Sequence, residues 1–199
     1  MDDKTYHHGD LRAAMIEKGI ELINENGAKA LSLRKVAAAC GVSHAAPYSH
    51  FAGKEELFTA IENYITNKFA SVLKESVTGK DASPEGLVSL GCAYVLFFLR
   101  NPQYFHFIFI HSNIVFGDGA EYEPFDFYVD YMKQMLGKMD YPKELWLKTA
   151  IAHWAMIHGL TSIAAMDDDP KEILLWEERV PDILSNNYLL LPMNNADSK

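Results

Sequence analysis

Between Ser32 and Lys54 the chain reads SLRKVAAACGVSHAAPYSHFAGK, two short helical patterns separated by Gly41 and Val42. Ser32 caps the first, Leu33 to Cys40, in which Val36, Ala37 and Cys40 are spaced for a buried face while Arg34 and Lys35 lie elsewhere. Gly41 supplies a turn, where a glycine adopts positive φ at no steric cost. Ser43 is a good N-cap for the second pattern, which carries His44, Tyr48, Ser49 and His50 before an apolar stop at Phe51. Helix, tight glycine turn and helix make the helix-turn-helix unit, whose second helix enters the major groove of DNA. Pro47 strains this reading, because the fourth helical position should already donate a backbone hydrogen bond and proline has none to give. The second helix therefore starts later than Ser43 or runs with one bond missing.

The rest of the chain is patterned as helices around that element. Residues 1–9 read as a flexible polar arm. Asp10 is placed to cap a helix whose apolar or small positions are Leu11, Met15, Gly19, Leu22 and Ile23, with Gly27 as its stop. A glycine inside a helix costs about 1 kcal/mol against alanine, so Gly19 marks a close helix approach. Gly53 to about Ser76 forms a longer helix with acids in its first turn. A polar break from Thr78 to Ser83 follows and marks the boundary in the chain. Ser83 then caps a helix from Pro84 to Arg100. Pro102 to His111 is a short aromatic helix, Gly117 to Pro124 a loop, and Phe125–Met139 and Pro142–Met166 two more helices. Asp169-Pro170-Lys171-Glu172 is a strong start for the last helix, which Pro181 should kink or break. The tail after Pro192 should fray. With neither strand alternation nor a repeat, the expected fold is all-α.

Charge limits what the helix-turn-helix can do. The chain holds 18 Lys and Arg against 27 Asp and Glu, a net charge of −9. Residues 1–56 hold seven cations against eight acids, a net −1, which leaves −8 to the remainder. The strongly basic face of a general nucleic-acid binder is missing. A near-neutral N-terminal part disfavours non-specific binding and leaves affinity to a few placed contacts.

Other classes find little support. The start lacks the pattern of a signal peptide, and the longest apolar run, Leu87 to Leu99, falls short of the roughly 20 residues a membrane span needs. Cys40 and Cys92 form no CxxC pair and read as small buried residues in a reducing compartment, so a cytoplasmic protein without membrane contact is expected. His106 and His111, like His153 and His158, are five apart, which rotates them off a common helix face, whereas a helical zinc pair wants four. No metal or cofactor is expected. A helical carboxylate enzyme would need a repeated Glu-x-x-His pattern, and no phosphate loop or nucleophile elbow is present. Asp167 to Asp169 reads as a solvated cluster. The chain is not expected to be an enzyme.

The residues that remain resemble a known family. Tyr6-His7-His8-Gly9-Asp10-Leu11-Arg12, the run Leu31 to Ala37, and Gly41-Val42-Ser43 through Tyr48-Ser49-His50-Phe51, extended by Lys54 and Leu57, are similar to the TetR family of transcriptional regulators. Trp154-Ala155-Met156-Ile157-His158-Gly159 resembles the Trp/His-Gly signature of one C-terminal subclass. The resemblance implies a helix-turn-helix domain over 1–56 and a helical ligand-binding and dimerisation domain over 57–199, with 57–76 as connecting helix. It implies a homodimer, joined through the last two helices, that binds double-stranded DNA and answers to a small-molecule effector. Carried over by position, Ser43, Tyr48, His50 and Lys54 match phosphate-contacting residues, and Arg34, His44 and Ala45 match residues that reach base edges. Leu33 stands where the family often has a polar residue and should add little readout. His7 and His8 are equally a solvated arm or a DNA contact. These chemistries suit the roles: hydroxyls, imidazoles and lysine fix register on phosphates, arginine addresses guanine, and a small apolar side chain meets a thymine methyl.

Residues 94–131 are dense in aromatics, including Phe116. Most should be core, with a subset lining a largely apolar pocket that has a few polar anchors. His111, Tyr128, Trp154 and His158 are the candidate ligand-binding residues. Trp154 and His158, four apart, share a helix face. For each, a packed core role is an equal alternative. For the whole chain, the alternatives to a ligand-responsive repressor are a helical interaction module that has lost DNA binding and a helical-bundle enzyme.

Overall fold

A computed structural model describes residues 8–112, 122–166 and 170–185, with side chains from Leu11 onward and, in the last helix, from Ile173. The arm to His7, Phe116, most of the expected loop at 117–124, Asp167 to Asp169 and the tail lie outside the described residues. The helices are α1 (His8–Asn26), α2 (Leu33–Ala39), α3 (Lys54–Ser76), α4 (Pro84–Arg100), α5 (Pro102–His106), α6 (Glu123–Lys138), α7 (Trp146–Ala164) and α8 (Pro170–Ser185). No strand occurs among the described residues, and the fold is all-α.

Packing divides the chain into two compact units, residues 1–68 with 102–114 and residues 69–101 with 115–199. That division falls inside α3, which is continuous through it.

In the first unit, Met15, Ile16, Ile20 and Ile23 of α1 share a core with Val36 and Ala37 of α2, Phe51, and Leu57, Ile61 and Ile65 of α3. A Cβ on Gly19 would lie 2.8 Å from Ile61 Cδ1, so the missing side chain is what lets this pair close up. α1 begins at His8, which puts Asp10 inside its first turn instead of at the cap. Residues 102–111 also belong here. α5 continues from His106 into a π turn, Phe107–His111, and packs against α1. Asn24 Nδ2 donates to the Gln103 carbonyl at 2.8 Å, and Phe58 and Phe107 meet at 5.1 Å between ring centroids. Tyr64 and Tyr104 both donate to Glu17 Oε1, at 2.7 and 2.5 Å, with Lys68 Nζ 3.5 Å from the same oxygen. One carboxylate thus ties α1, α3 and α5 together.

In the second unit α4 packs against α6, α7 and α8. Its Leu87, Leu90, Tyr94, Val95 and Phe98 are buried, a face wide enough to serve three neighbours. Arg100 closes the α4–α8 contact by donating twice to Glu177 Oε1, at 2.7 and 3.0 Å. Pro181 does not end α8, which runs to Ser185 with the proline inside it. Burial of Val180 and Leu184 on either side of Pro181 holds the helix together across the lost backbone bond. Large apolar side chains are left on the surface of α7 and α8: Ile151, Ile163, Leu174, Leu175 and Ile183.

Candidate nucleic-acid interface and body cluster

The interface begins at a cap. Ser32 is extended, and its hydroxyl accepts from Lys35 N at 3.2 Å, which starts α2. Leu33, Val36 and Ala37 then point inward, so Arg34 and Lys35 are turned to solvent. Burial of Leu33 accounts for its poor fit to a base-reading role. Cys40 at the C-cap is half-buried, as is Cys92, against the small buried residues expected from sequence. Burial pushes both thiols up from their ordinary range. Gly41 has φ +67, the left-handed value its turn requires.

The second element of the unit is not an α-helix capped by Ser43. It is a 3-10 turn, Ala46–Ser49, that follows two turn residues. Pro47 explains the difference. With no N–H at 47, an α-turn back to Ser43 cannot close, and the chain winds tighter: Ala46 N donates to Ser43 O at 3.0 Å and Tyr48 N to Ala45 O at 3.1 Å. Pro47 is itself buried, and its carbonyl takes both His50 N and Phe51 N, at 3.0 and 2.9 Å. Proline therefore organises the recognition turn instead of disrupting it. The Ser49 hydroxyl is committed locally, donating to Ala46 O at 2.7 Å.

Ser43, His44 and Ala45 are exposed, and Tyr48 is 58% exposed although it sits between buried Pro47 and buried Phe51. His50 is half-buried, its ring 6.3 Å from that of Phe51. Lys54 opens α3 and donates from Nζ to Lys29 O at 3.3 Å, so it is half-buried and held in place. The recognition turn packs on α2, which gathers these residues with Arg34 on two adjoining elements. Side chains with hydrogen-bonding or cationic tips stand over an apolar floor. That arrangement can contact phosphates and base edges.

One side chain near this surface carried no role in the sequence reading. Arg12 of α1 is exposed, with Cζ 5.1 Å from the centroid of the Phe51 ring. Only its place in the N-terminal motif marked it.

The ligand-binding candidates separate. Tyr128, Trp154 and His158 belong to the second unit, whereas half-buried His111 ends the π turn of the first. Trp154 is the hub, 4.9 Å from Tyr94, 5.2 Å from Tyr128 and 5.3 Å from Phe125 between centroids, each edge to face. Tyr128 is fully buried and its hydroxyl is hydrogen-bonded to His153 Nδ1. The Tyr94 hydroxyl pairs likewise with His158 Nδ1 at 3.0 Å. Burial lowers His153 to about 4 and lowers His158 as well, and it raises the two tyrosines. Near neutral pH both pairs are uncharged phenol–imidazole pairs inside an aromatic cluster. His153 was considered from sequence only as a metal ligand, and no local signal could pair it with a tyrosine 25 residues away. Among the described residues no three His, Cys, Asp or Glu converge as a metal would require, and no helix is long and apolar enough to cross a membrane.

Residues 15–61 match the family model of bacterial regulatory proteins, tetR family. Among curated proteins none matches significantly. Solved structures similar to the chain include a protein of unknown function from Rhodococcus sp. RHA1, with 23% identity, TM-score 0.65, and coverage of 92% of this chain and 100% of that one. The transcriptional regulator FadR of Bacillus subtilis, in complex with stearoyl-CoA, has 14% identity and TM-score 0.68, covering 87% of this chain and 97% of that one. NalD of Pseudomonas aeruginosa, the secondary repressor of a multidrug efflux pump, has 19% identity and TM-score 0.61, covering 88% and 95%. At these identities the likenesses speak for the fold.

Proposed function

We propose that this chain, a TetR family transcriptional regulator by its residues 15–61 and its all-helical fold, is a cytoplasmic repressor that binds a pseudo-palindromic operator as a homodimer and is released by a small, largely apolar molecule. The observation that carries the DNA-binding half is Tyr48, a large ring left 58% exposed in the recognition turn whose Pro47 is buried. Arg34, His44 and Ala45 would read bases, and Ser43, Tyr48, His50 and Lys54 would hold phosphates. On this reading 1–56 is the DNA-binding domain and 57–199 the ligand-binding and dimerisation domain, with α3 carrying coupling between them.

The dimer reading is supported by Ile151, Ile163, Leu174, Leu175 and Ile183, large apolar side chains that α7 and α8 leave exposed. A two-fold pair presents two recognition turns to half-sites about one helical turn apart. The effector reading is supported by the cluster around Trp154, with the Tyr94–His158 and Tyr128–His153 pairs as polar anchors in an apolar setting. His111, which belongs to the other compact unit, is also proposed as a ligand contact. The stearoyl-CoA held by FadR is a reason to put long-chain acyl-CoA in the effector screen. Release needs only that the effector bind the operator-competent and incompetent states with different affinity.

Genome-wide binding-site selection with purified protein, followed by a small-molecule screen for release, tests the proposal. The expected result is an enriched pseudo-palindrome from which at least one apolar compound displaces the protein. Failure to enrich any duplex would overturn the DNA-binding reading in favour of an interaction module. A monomer at micromolar concentration would overturn the dimer.

A further inference from the structure

The cation set of the proposed interface does not end with the residues assigned above. Arg12 lies on the second turn of α1, and its guanidinium sits over the ring of Phe51 at 5.1 Å. Phe51 is 1% exposed and is anchored by its N–H on the Pro47 carbonyl at 2.9 Å, so the platform under the arginine is fixed to the end of the recognition turn. The His50 ring is 6.3 Å from the same phenyl ring on its chain neighbour. Arg12 therefore flanks the proposed interface from a different helix.

Its charge is also available. Lys18 is held by Glu21 at 2.6 Å and Lys68 by Glu17 at 3.5 Å, so the other α1-facing cations of this unit are spoken for. Among the described residues Arg12 has no ion pair, a condition it shares with Lys29, Arg34, Lys35 and Lys54. In a segment of net charge −1, which cations are left unpaired decides where an anion can be drawn.

The stacking geometry selects the kind of anion. A guanidinium uses its flat face on an aromatic ring and its edge for hydrogen bonds. With one face on Phe51, the N–H groups in the plane stay free to address a tetrahedral phosphate, bidentately where the register allows. Stacking holds the side chain in place beforehand, so less ordering entropy is lost on contact. We propose that Arg12 is a further phosphate contact, one per protomer, that clamps the duplex backbone beside the recognition turn without reading sequence. The inference rests on the DNA-binding reading above and extends it to α1.

The test is a titration of wild type, Arg12→Met, Arg12→Gln and Arg12→Lys against the selected duplex, read by fluorescence anisotropy across a salt series. Arg12→Met keeps an apolar cover on Phe51 and removes the charge; Arg12→Gln is a second neutral variant in case methionine perturbs the fold. In both, the slope of log K against log salt should be shallower by about 1 per protomer, with affinity about tenfold lower at physiological salt. Ranking of single-base variants of the duplex should not change. Arg12→Lys should keep the wild-type slope. Inorganic phosphate added at constant ionic strength should leave wild-type affinity unchanged, which separates a backbone contact from a free-phosphate site. Wild-type binding with an unaltered slope in both neutral variants overturns the inference alone. Loss of slope together with a changed base ranking also overturns it, because Arg12 would then be shaping readout. If the wild type binds no duplex, the DNA-binding reading falls and takes the inference with it.

Discussion

The recognition surface of the first unit and the aromatic cluster of the second handle polar groups in opposite ways. Around the recognition turn, Arg34, Ser43, His44 and Tyr48 stand in solvent, above a floor of Val36, Ala37, Pro47 and Phe51 that is buried and apolar. Around Trp154, the polar atoms are turned inward and joined in pairs, Tyr94 with His158 and Tyr128 with His153. The first arrangement leaves side chains that stability does not use and an external partner can. In the second, the same chemical groups are already spent on one another, and a ligand would have to displace or extend those pairs. Function written on an exposed turn is therefore separable from folding, whereas function written in the cluster is not.

The largest expected effect follows from breaking the cluster at its hub. Trp154→Ala removes the ring that contacts Tyr94, Phe125 and Tyr128, and should destabilise the chain by about 3–5 kcal/mol in urea or guanidinium unfolding. A loss below about 1 kcal/mol would show that the cluster is loosely packed and that its side chains are no more bound up with folding than those of the recognition turn.

Acid should separate the two regions next. His153 is depressed from an ordinary 6.5 to about 4 by burial, so the folded state holds it neutral while the unfolded chain protonates it. Its contribution is then complete above pH about 6.5 and is lost as pH falls through the window down to about 4, on the order of 3 kcal/mol in total. His158 is lowered in the same direction, by burial. Unfolding midpoints measured across that window should fall steeply for the wild type and less so for His153→Gln. Parallel curves would show that the imidazole is not held neutral by folding.

The two regions also differ in how far they could be read in advance. Exposed chemistry was legible because it lies on consecutive residues: Ser32, Gly41 and the spacing of Tyr48, His50 and Lys54 mark a local unit without knowledge of the rest. Pro47 was legible as a conflict but not in its outcome, since only the bonds from Ala46, Tyr48, His50 and Phe51 show that the chain resolves it as a 3-10 turn. Tertiary pairing was not legible. Tyr104 reaches Glu17 across 87 positions and Tyr128 reaches His153 across 25, and no periodicity encodes either partner. Residues 102–111 read locally as one more aromatic helix, and their place against α1 depends on side chains from α1 and α3 that meet them only after folding.

A smaller change sharpens what the buried pairs contribute. Tyr128→Phe keeps the ring against Trp154 and removes the hydroxyl from His153, leaving one buried acceptor or donor without its partner. The expected loss is about 1–3 kcal/mol in equilibrium unfolding. It should be accompanied by a rise in the His153 pKa toward the ordinary range, if water enters to take the place of the phenol, measurable by NMR titration. A neutral mutation would mean that the imidazole finds another partner and that the pairing is incidental to the cluster.

The smallest effect on stability should come from the recognition turn, and there it is the informative result. Tyr48→Ala removes a mostly exposed ring, so unfolding should shift by no more than about 0.5 kcal/mol. DNA affinity should nevertheless fall across all duplexes tested, because a phosphate contact holds register on any sequence. Arg34→Ala, equally neutral for folding, should instead cost about 1–3 kcal/mol on the preferred duplex and much less on a duplex altered at the contacted base pair. Measured together by mobility shift and by thermal unfolding, the two variants separate the surface from its support. If either destabilised the chain as Trp154→Ala is expected to, its side chain would belong to the floor and not to the interface. If both left DNA binding untouched with the fold intact, the exposed groups of the turn would face something other than DNA.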